Sequence, residues 1–195
     1  MTCGGERSSA PADAPHSSDD LATSYDRFDV DLYLVRHAIA EPHDSARWPD
    51  DSERPLAPAG IERFRAAARG LRRLGVEVDA VLASAYVRAW HTAELLTKEA
   101  AWPSPEECRE LEPSTPPNDC LDALRNRQES ALALVGHQPL LSELASLLLA
   151  GDGRLLRLEL KKGAAMCLRF DGSPEAGKAS LRWSVSPKLL GSLAR

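Results

Sequence analysis

Aromatic residues are scarce in this chain of 195 residues, at 5% of positions, and there are only two Met. Cysteine is sparse as well. The four thiols, Cys3, Cys108, Cys120 and Cys167, form no C-x-x-C pair and no zinc-like spacing, which favours free thiols over bridges or metal ligands. No apolar run approaches the ~20 residues that cross a bilayer, and the first residues lack the charged-then-apolar order of a signal peptide. Positive charge is not in excess: 24 Lys and Arg stand against 29 Asp and Glu, a formal charge of −5. Nucleic-acid binders usually carry a basic stripe against the phosphates, so nucleic acid is not an expected partner. What is present is an ordinary globular composition, 43% apolar and 27% charged, which excludes collagen-like, coiled-coil and wholly disordered classes. A domain of this length buries roughly 70% of its unfolded surface and needs no staples. The expectation is a cytoplasmic protein without membrane, metal or cofactor.

Residues 1–28 are rich in Gly, Ser, Ala, Pro and Asp and hold five acids against two bases. With almost no large apolar residue before Leu21, they cannot offset their ordering entropy by burial, and they read as a flexible extension in which His16 is a solvated residue. From residue 29 to 195 the pattern becomes that of one α/β domain. Strands are expected at 30–35, 80–83 and 131–135, with a short one at 108–111. Helices are expected at 59–74, 86–99, 119–127 and 140–149. The stretch 155–170 and the segment ASLRWSV read as two or three further strands around a turn at Gly163 and a polar loop at 171–177. Alternation of strand and helix implies a three-layer sandwich with a mostly parallel central sheet flanked by helices.

In such sheets ligands bind beyond the carboxyl ends of the strands. The strand at 30–35 ends in Arg36-His37, the strand at 80–83 in Ser84 with Arg88 four residues on, and the strand at 131–135 in Gly136-His137. If these strands run the same way, two imidazoles and two guanidiniums converge on one rim. Arginine forks match phosphate oxygens bidentately, and helices starting near Tyr86 and Pro139 add free N–H groups. A neutral imidazole can attack phosphorus and split the displacement into two steps. Taken singly, each histidine reads more often as a hydrogen-bonded structural residue and each arginine as a surface charge or ion-pair partner, and the agreement of three strand ends is what points to an anion site. His43, in a polar loop, and His91, on a helix, have no such company.

Leu34-Val35-Arg36-His37-Ala38 resembles the Arg-His-Gly signature of the histidine phosphatase superfamily, which includes the cofactor-dependent phosphoglycerate mutases, with Ala38 in place of the usual Gly. Ser84-Ala85-Tyr86-Val87-Arg88-Ala89 with Thr92-Ala93 is similar to the family's second-arginine motif, and Leu134-Val135-Gly136-His137-Gln138-Pro139 to its second-histidine motif. The short length, Arg54-Pro55-Leu56 before Gly60, and Leu160-Lys161-Lys162-Gly163-Ala164 resemble the SixA-type phosphohistidine phosphatases. The similarity runs over about 29–190. It implies a phosphoglycerate mutase-like fold, His37 as the nucleophile that becomes phosphorylated, and a phosphate pocket of Arg36, Arg88 and His137. Arg54 matches an arginine that reaches the phosphate in the SixA-type branch; on its own it reads equally as an exposed loop arginine. Many members protonate an alkoxide leaving group with a carboxylic acid, and Glu110 and Glu112 lie where one would be sought, though in no clear motif. Imidazole leaves more easily than alkoxide, so a missing acid favours phosphohistidine. The expected substrate is thus a phosphohistidine protein, with a small phosphorylated metabolite as the alternative and a non-catalytic phosphate-binding module as a third reading.

Overall fold

Four short apolar runs make the body of a six-stranded sheet. In chain order the strands are β1 (Asp29–Arg36), β2 (Ala80–Ala83), β3 (Pro105–Glu107), β4 (Ala131–Gly136), β5 (Ala165–Asp171) and β6 (Ser180–Val185). Their order across the sheet is β3-β2-β4-β1-β5-β6. The first four pair in parallel, while β5 lies antiparallel to both β1 and β6. The helices are α1 (Pro58–Arg73), α2 (Val87–Ala100), α3 (Pro117–Leu124), α4 (Leu140–Ala150) and α5 (Pro187–Leu193). The computed structural model describes Met1 and residues 29–194, so the expected N-terminal extension, with Cys3 and His16, lies outside the described residues.

The two-residue period of a strand sends alternate side chains to opposite faces. Tyr33 and Val35 join Val81, Ala83, Ala133 and Val135 beneath α1, α2 and α5. Leu32 and Leu34 join Leu82, Leu132 and Leu134 beneath α3 and α4. These two cores are why the strands read as nearly unbroken apolar runs, since a strand covered on both faces has no polar side. Each fully buried leucine contributes roughly 1.5–3 kcal/mol. The result is the expected α/β sandwich of three layers.

Register carries the strand ends to one rim. Arg36 lies opposite Gly136, and Ala83 opposite Val135, so the residues that follow each of these strands leave the sheet side by side. Beyond β1 the chain is pinched by an isolated bridge between Ala40 and Leu56, with Glu41 N–H donating to the Pro55 carbonyl and Ala57 N–H to that of Ile39. The loop between these points carries a short 3-10 turn at Asp51–Glu53. Gly60 makes the pinch possible, because a Cβ there would stand 2.1 Å from the Ile39 carbonyl oxygen.

Four expectations need correction. The strand expected at 108–111 is β3, three residues earlier; its exposed Pro-Glu-Glu has no apolar signal, and Arg109–Leu111 is a 3-10 turn with Leu111 pointing inward. α3 starts two residues early, at a first-turn proline, and stops at Leu124. Residues 155–160 form no strand despite their alternation: Leu155 and Leu156 are exposed beside a turn, and only Leu160 is buried. α5 was not expected at all. It is short, begins with Ser186 as its cap and Pro187 in its first turn, and seats Leu190 in the core.

Candidate active site

β1, β2 and β4 place His37, Ser84 and His137 at their carboxyl ends, and α2 returns Arg88 to the same place. His37 N–H donates to the Gly136 carbonyl at 3.0 Å, tying the two histidine-bearing strand ends together. The two imidazole rings stand with centroids 5.1 Å apart. His37, His137 and Arg88 are 5%, 2% and 4% exposed, unusual burial for groups able to carry charge.

The ring nitrogens of His37 are distinguished by the backbone. Nδ1 lies 2.7 Å from the Ala38 carbonyl oxygen, which can only accept, so Nδ1 carries the proton and Nε2 keeps its lone pair. Burial foremost, and then the charges of Arg88, Arg36 and Lys162, push the imidazole down to about 3. His37 is therefore neutral at physiological pH.

His137 is oriented by a hydroxyl. Its Nε2 lies 3.0 Å from Ser84 Oγ, and that oxygen also accepts from the Tyr86 N–H at 3.3 Å. When the hydroxyl donates to Nε2, the ring proton sits on Nδ1. Nδ1 is buried without a hydrogen-bond partner. Burial, followed by His37 and Arg88, pushes this imidazole down to about 2. Tyr86 packs edge-on against the ring, with centroids 5.1 Å apart, and lies under the Arg88 guanidinium at 4.9 Å.

The arginines are held by the protein but not saturated. Arg36 donates from Nη1 to the Leu160 carbonyl at 2.9 Å. Arg88 donates from Nη1 to the Asp51 carbonyl at 2.7 Å and pairs with the Asp51 carboxylate at 2.9 Å. The Nε atoms of both are buried and unpartnered. With His137 in its Nδ1-protonated tautomer, these are three N–H groups whose desolvation a multi-oxygen anion could offset. Arg54 donates from Nε to Asp51 at 2.7 Å and from Nη1 to the Glu41 carbonyl at 2.8 Å. It reaches the rim through Asp51, so its reading as a merely exposed loop arginine fails: its side chain is 13% exposed.

Two further groups belong to the rim. Lys162, in the turn before β5, feels burial and then the charges of Arg36, Arg54 and Arg88, which lower the pKa of its ammonium. Asp51 is held ionised, below the usual carboxylate range, first by the Arg54 hydrogen bond and then by the charges of Arg88 and Arg54. Both come from loops, where no periodicity announces them. The two acids considered as proton donors are disposed otherwise. Glu110 accepts from the Cys108 thiol at 3.3 Å, and Glu112 makes no side-chain hydrogen bond among the described residues. No group of three or more His, Cys, Asp or Glu able to hold a metal occurs among the described residues.

An α/β sheet whose parallel strand ends present paired neutral imidazoles among cations is an anion-handling protein of the phosphoryl-transfer kind. The family model for the histidine phosphatase superfamily (branch 1) matches residues 32–112. A Picosynechococcus protein described only as uncharacterized is 36% identical over 144 residues, covering 72% of this chain and 85% of its own. The phosphohistidine phosphatase SixA of Escherichia coli is 29% identical over 164 residues, covering 81% and 94%. Among solved structures, the protein histidine phosphatase SixA complexed with tungstate is 26% identical with a TM-score of 0.71, covering 83% of this chain and 99% of that one. An α-ribazole-5'-P phosphatase from Escherichia coli shares the fold at 20% identity and a TM-score of 0.64, covering 81% and 98%. The chain belongs to the histidine phosphatase superfamily, and its SixA-like neighbours support phosphatase activity. His137 lies outside the stretch matched by the family model, so its membership of the site rests on the geometry above. No helix among the described residues is long and apolar enough to cross a membrane.

Proposed function

We propose that this protein hydrolyses the phosphoryl group of phosphohistidine on a protein substrate, through an intermediate phosphorylated on His37. The observation that carries the reading is the hydrogen bond from His37 Nδ1 to the Ala38 carbonyl, which leaves a neutral Nε2 with its lone pair beside the His137 ring. In the first step Nε2 forms a bond to phosphorus, the bond from phosphorus to the substrate nitrogen breaks, and the substrate imidazole leaves neutral, keeping the proton that the phosphohistidine carries on its other ring nitrogen. In the second, water attacks phosphorus, the bond to Nε2 breaks, and inorganic phosphate departs. Arg36, Arg88 and Arg54 hold the equatorial oxygens, and His137 donates from Nδ1 to the charge that develops on them.

The choice of leaving group rests on Asp51. It is the carboxylate that pairs with the crevice arginines, and Arg54 and Arg88 keep it ionised, so it is poorly suited to protonate an alkoxide. An imidazole leaving group requires no such acid. A substrate panel of phosphohistidine peptides, alkyl phosphates and aryl phosphates tests this, run with wild type and His37→Ala. Phosphohistidine is expected to turn over fastest, with acid-labile label on the wild-type protein after rapid quenching and none on the alanine variant. Faster turnover of alkyl phosphates would assign a small-molecule phosphomonoesterase instead. Phosphate binding without release from any member of the panel would leave a binding module.

A further inference from the structure

Next to the crevice, and sharing Arg36 and Lys162 with it, a cavity of about 660 Å³ runs between α1, α5 and the turn before β5. Its charged lining consists of Arg36, Arg63, Lys161, Lys162 and Lys188 against the single acid Glu159. This imbalance is local, because the chain as a whole is acidic. It is also uncompensated. On α1, Arg65 pairs with Glu62 and Glu99, and Arg69 with Glu99, whereas Arg63, Lys161 and Lys188 make no ion pair among the described residues. The floor is apolar, made by half-buried Ile39 and Pro187 and the buried Phe64.

Building on the phosphohistidine reading, we propose that this cavity docks an acidic stretch of the protein substrate, its carboxylates seated against Arg63 and Lys188 while the phosphoryl group lies at Arg36. A volume of this size holds a segment of several residues rather than one side chain. The apolar floor separates a peptide from a small polyanion. Aliphatic carbons of Asp and Glu side chains and of the backbone cover Ile39 and Pro187, while a compact second phosphate leaves them wet. Cations without partners raise the encounter rate with an acidic surface and favour it over a basic one, in a salt-dependent way.

Two arms of one experiment test docking apart from chemistry, using the full chain and the Arg63→Glu/Lys188→Glu double variant. In the first, kcat/KM is compared for phosphohistidine peptides with glutamate or glutamine flanks, and for free phosphohistidine. Wild type is expected to favour the glutamate peptide by about tenfold, mostly through KM and less so at high salt. The double variant should lose that preference, keep its rate on free phosphohistidine, and recover the preference as Arg63→Lys/Lys188→Arg. In the second arm, an unphosphorylated glutamate-rich peptide competes with an aryl phosphate. Competitive inhibition is expected in wild type, weakened about tenfold in the double variant. Equal kcat/KM for both peptides in wild type, a preference that survives charge reversal, or enhancement by a small bisphosphate with none by the peptide would overturn the docking proposal. If no phosphohistidine substrate turns over, the functional reading fails, and the inhibition arm alone decides for or against the docking site.

Discussion

Asp51 meets Arg88 twice, with its backbone carbonyl 2.7 Å from Nη1 and its carboxylate 2.9 Å from Nη2. The same carboxylate receives Arg54 Nε at 2.7 Å. A loop acid thus holds the Nη end of Arg88 and the Nε of Arg54 and steadies both arginines, while the Arg88 Nε is left unpartnered.

This relationship predicts how Asp51→Ala behaves. Arg88 is nearly fully buried, so losing its counter-ion leaves a poorly compensated charge. Asp51 itself is 38% exposed, and screening reduces the effect to about 1 kcal/mol. Denaturant unfolding in phosphate-free buffer should show that loss. Millimolar phosphate should recover most of it, because an anion that binds only the folded state stabilises by mass action. Equal stability of variant and wild type without phosphate would mean that the pairing contributes nothing.

The two buried imidazoles give stability a sign with pH. In the unfolded chain a histidine titrates near 6.5, while in the fold burial holds His37 down to about 3 and His137 to about 2. Between those values the unfolded state binds protons that the native state refuses. Stability is therefore full above about pH 6.5 and falls as the pH drops from there to about 3 for His37 and about 2 for His137, by roughly 1.4 kcal/mol per pH unit for each histidine. His37→Asn and His137→Gln should each remove about one proton from the uptake on unfolding over that window. An unchanged slope in both variants would show that neither imidazole is held neutral.

Gly70 supplies a test of packing. A Cβ built there would lie 2.0 Å from the Leu190 carbonyl oxygen, so α1 and α5 touch backbone to backbone at this point. Helix propensity alone makes Gly70→Ala stabilising by about 1 kcal/mol. The clash with a carbonyl reverses the sign, and a net loss of about 1–3 kcal/mol is expected in urea unfolding. A stabilised variant would show that α5 moves aside freely.

The parts of the fold that the sequence revealed are those whose burial leaves a period. β1, β2 and β4 are apolar on both faces, and α1 and α4 carry stripes, so their boundaries fell within a residue or two. β3 is a polar edge strand paired with β2 on one side, and nothing in Pro-Glu-Glu marks it. The leucines at 155–156 alternate like a strand but face solvent, because the turn there directs the chain toward Leu160, whose carbonyl holds Arg36. The site divides along the same line. His37, Arg36, Arg88 and His137 follow strand ends, where topology alone collects them. Asp51 and Lys162 arrive from loops, and only the folded chain places their charges beside the others.

Thr92 joins the two halves of the crevice. Its Oγ1 accepts the Ala38 N–H at 3.0 Å and donates to the Arg88 carbonyl at 2.6 Å, fully buried. Ala38 is also the residue whose carbonyl fixes the His37 tautomer, so the hydroxyl holds the nucleophile's support against the first turn of α2. Thr92→Val preserves the shape and leaves the Ala38 N–H without a partner, a loss of about 1–3 kcal/mol in stability. If Ala38 then shifts, its carbonyl moves away from Nδ1 and Nε2 loses its fixed lone pair. The expected signature is a fall of about tenfold in kcat with little change in KM, restored by Thr92→Ser, which keeps the oxygen. A variant that loses stability but keeps kcat would confine Thr92 to holding the fold, and the His37 tautomer would then rest on β1 alone.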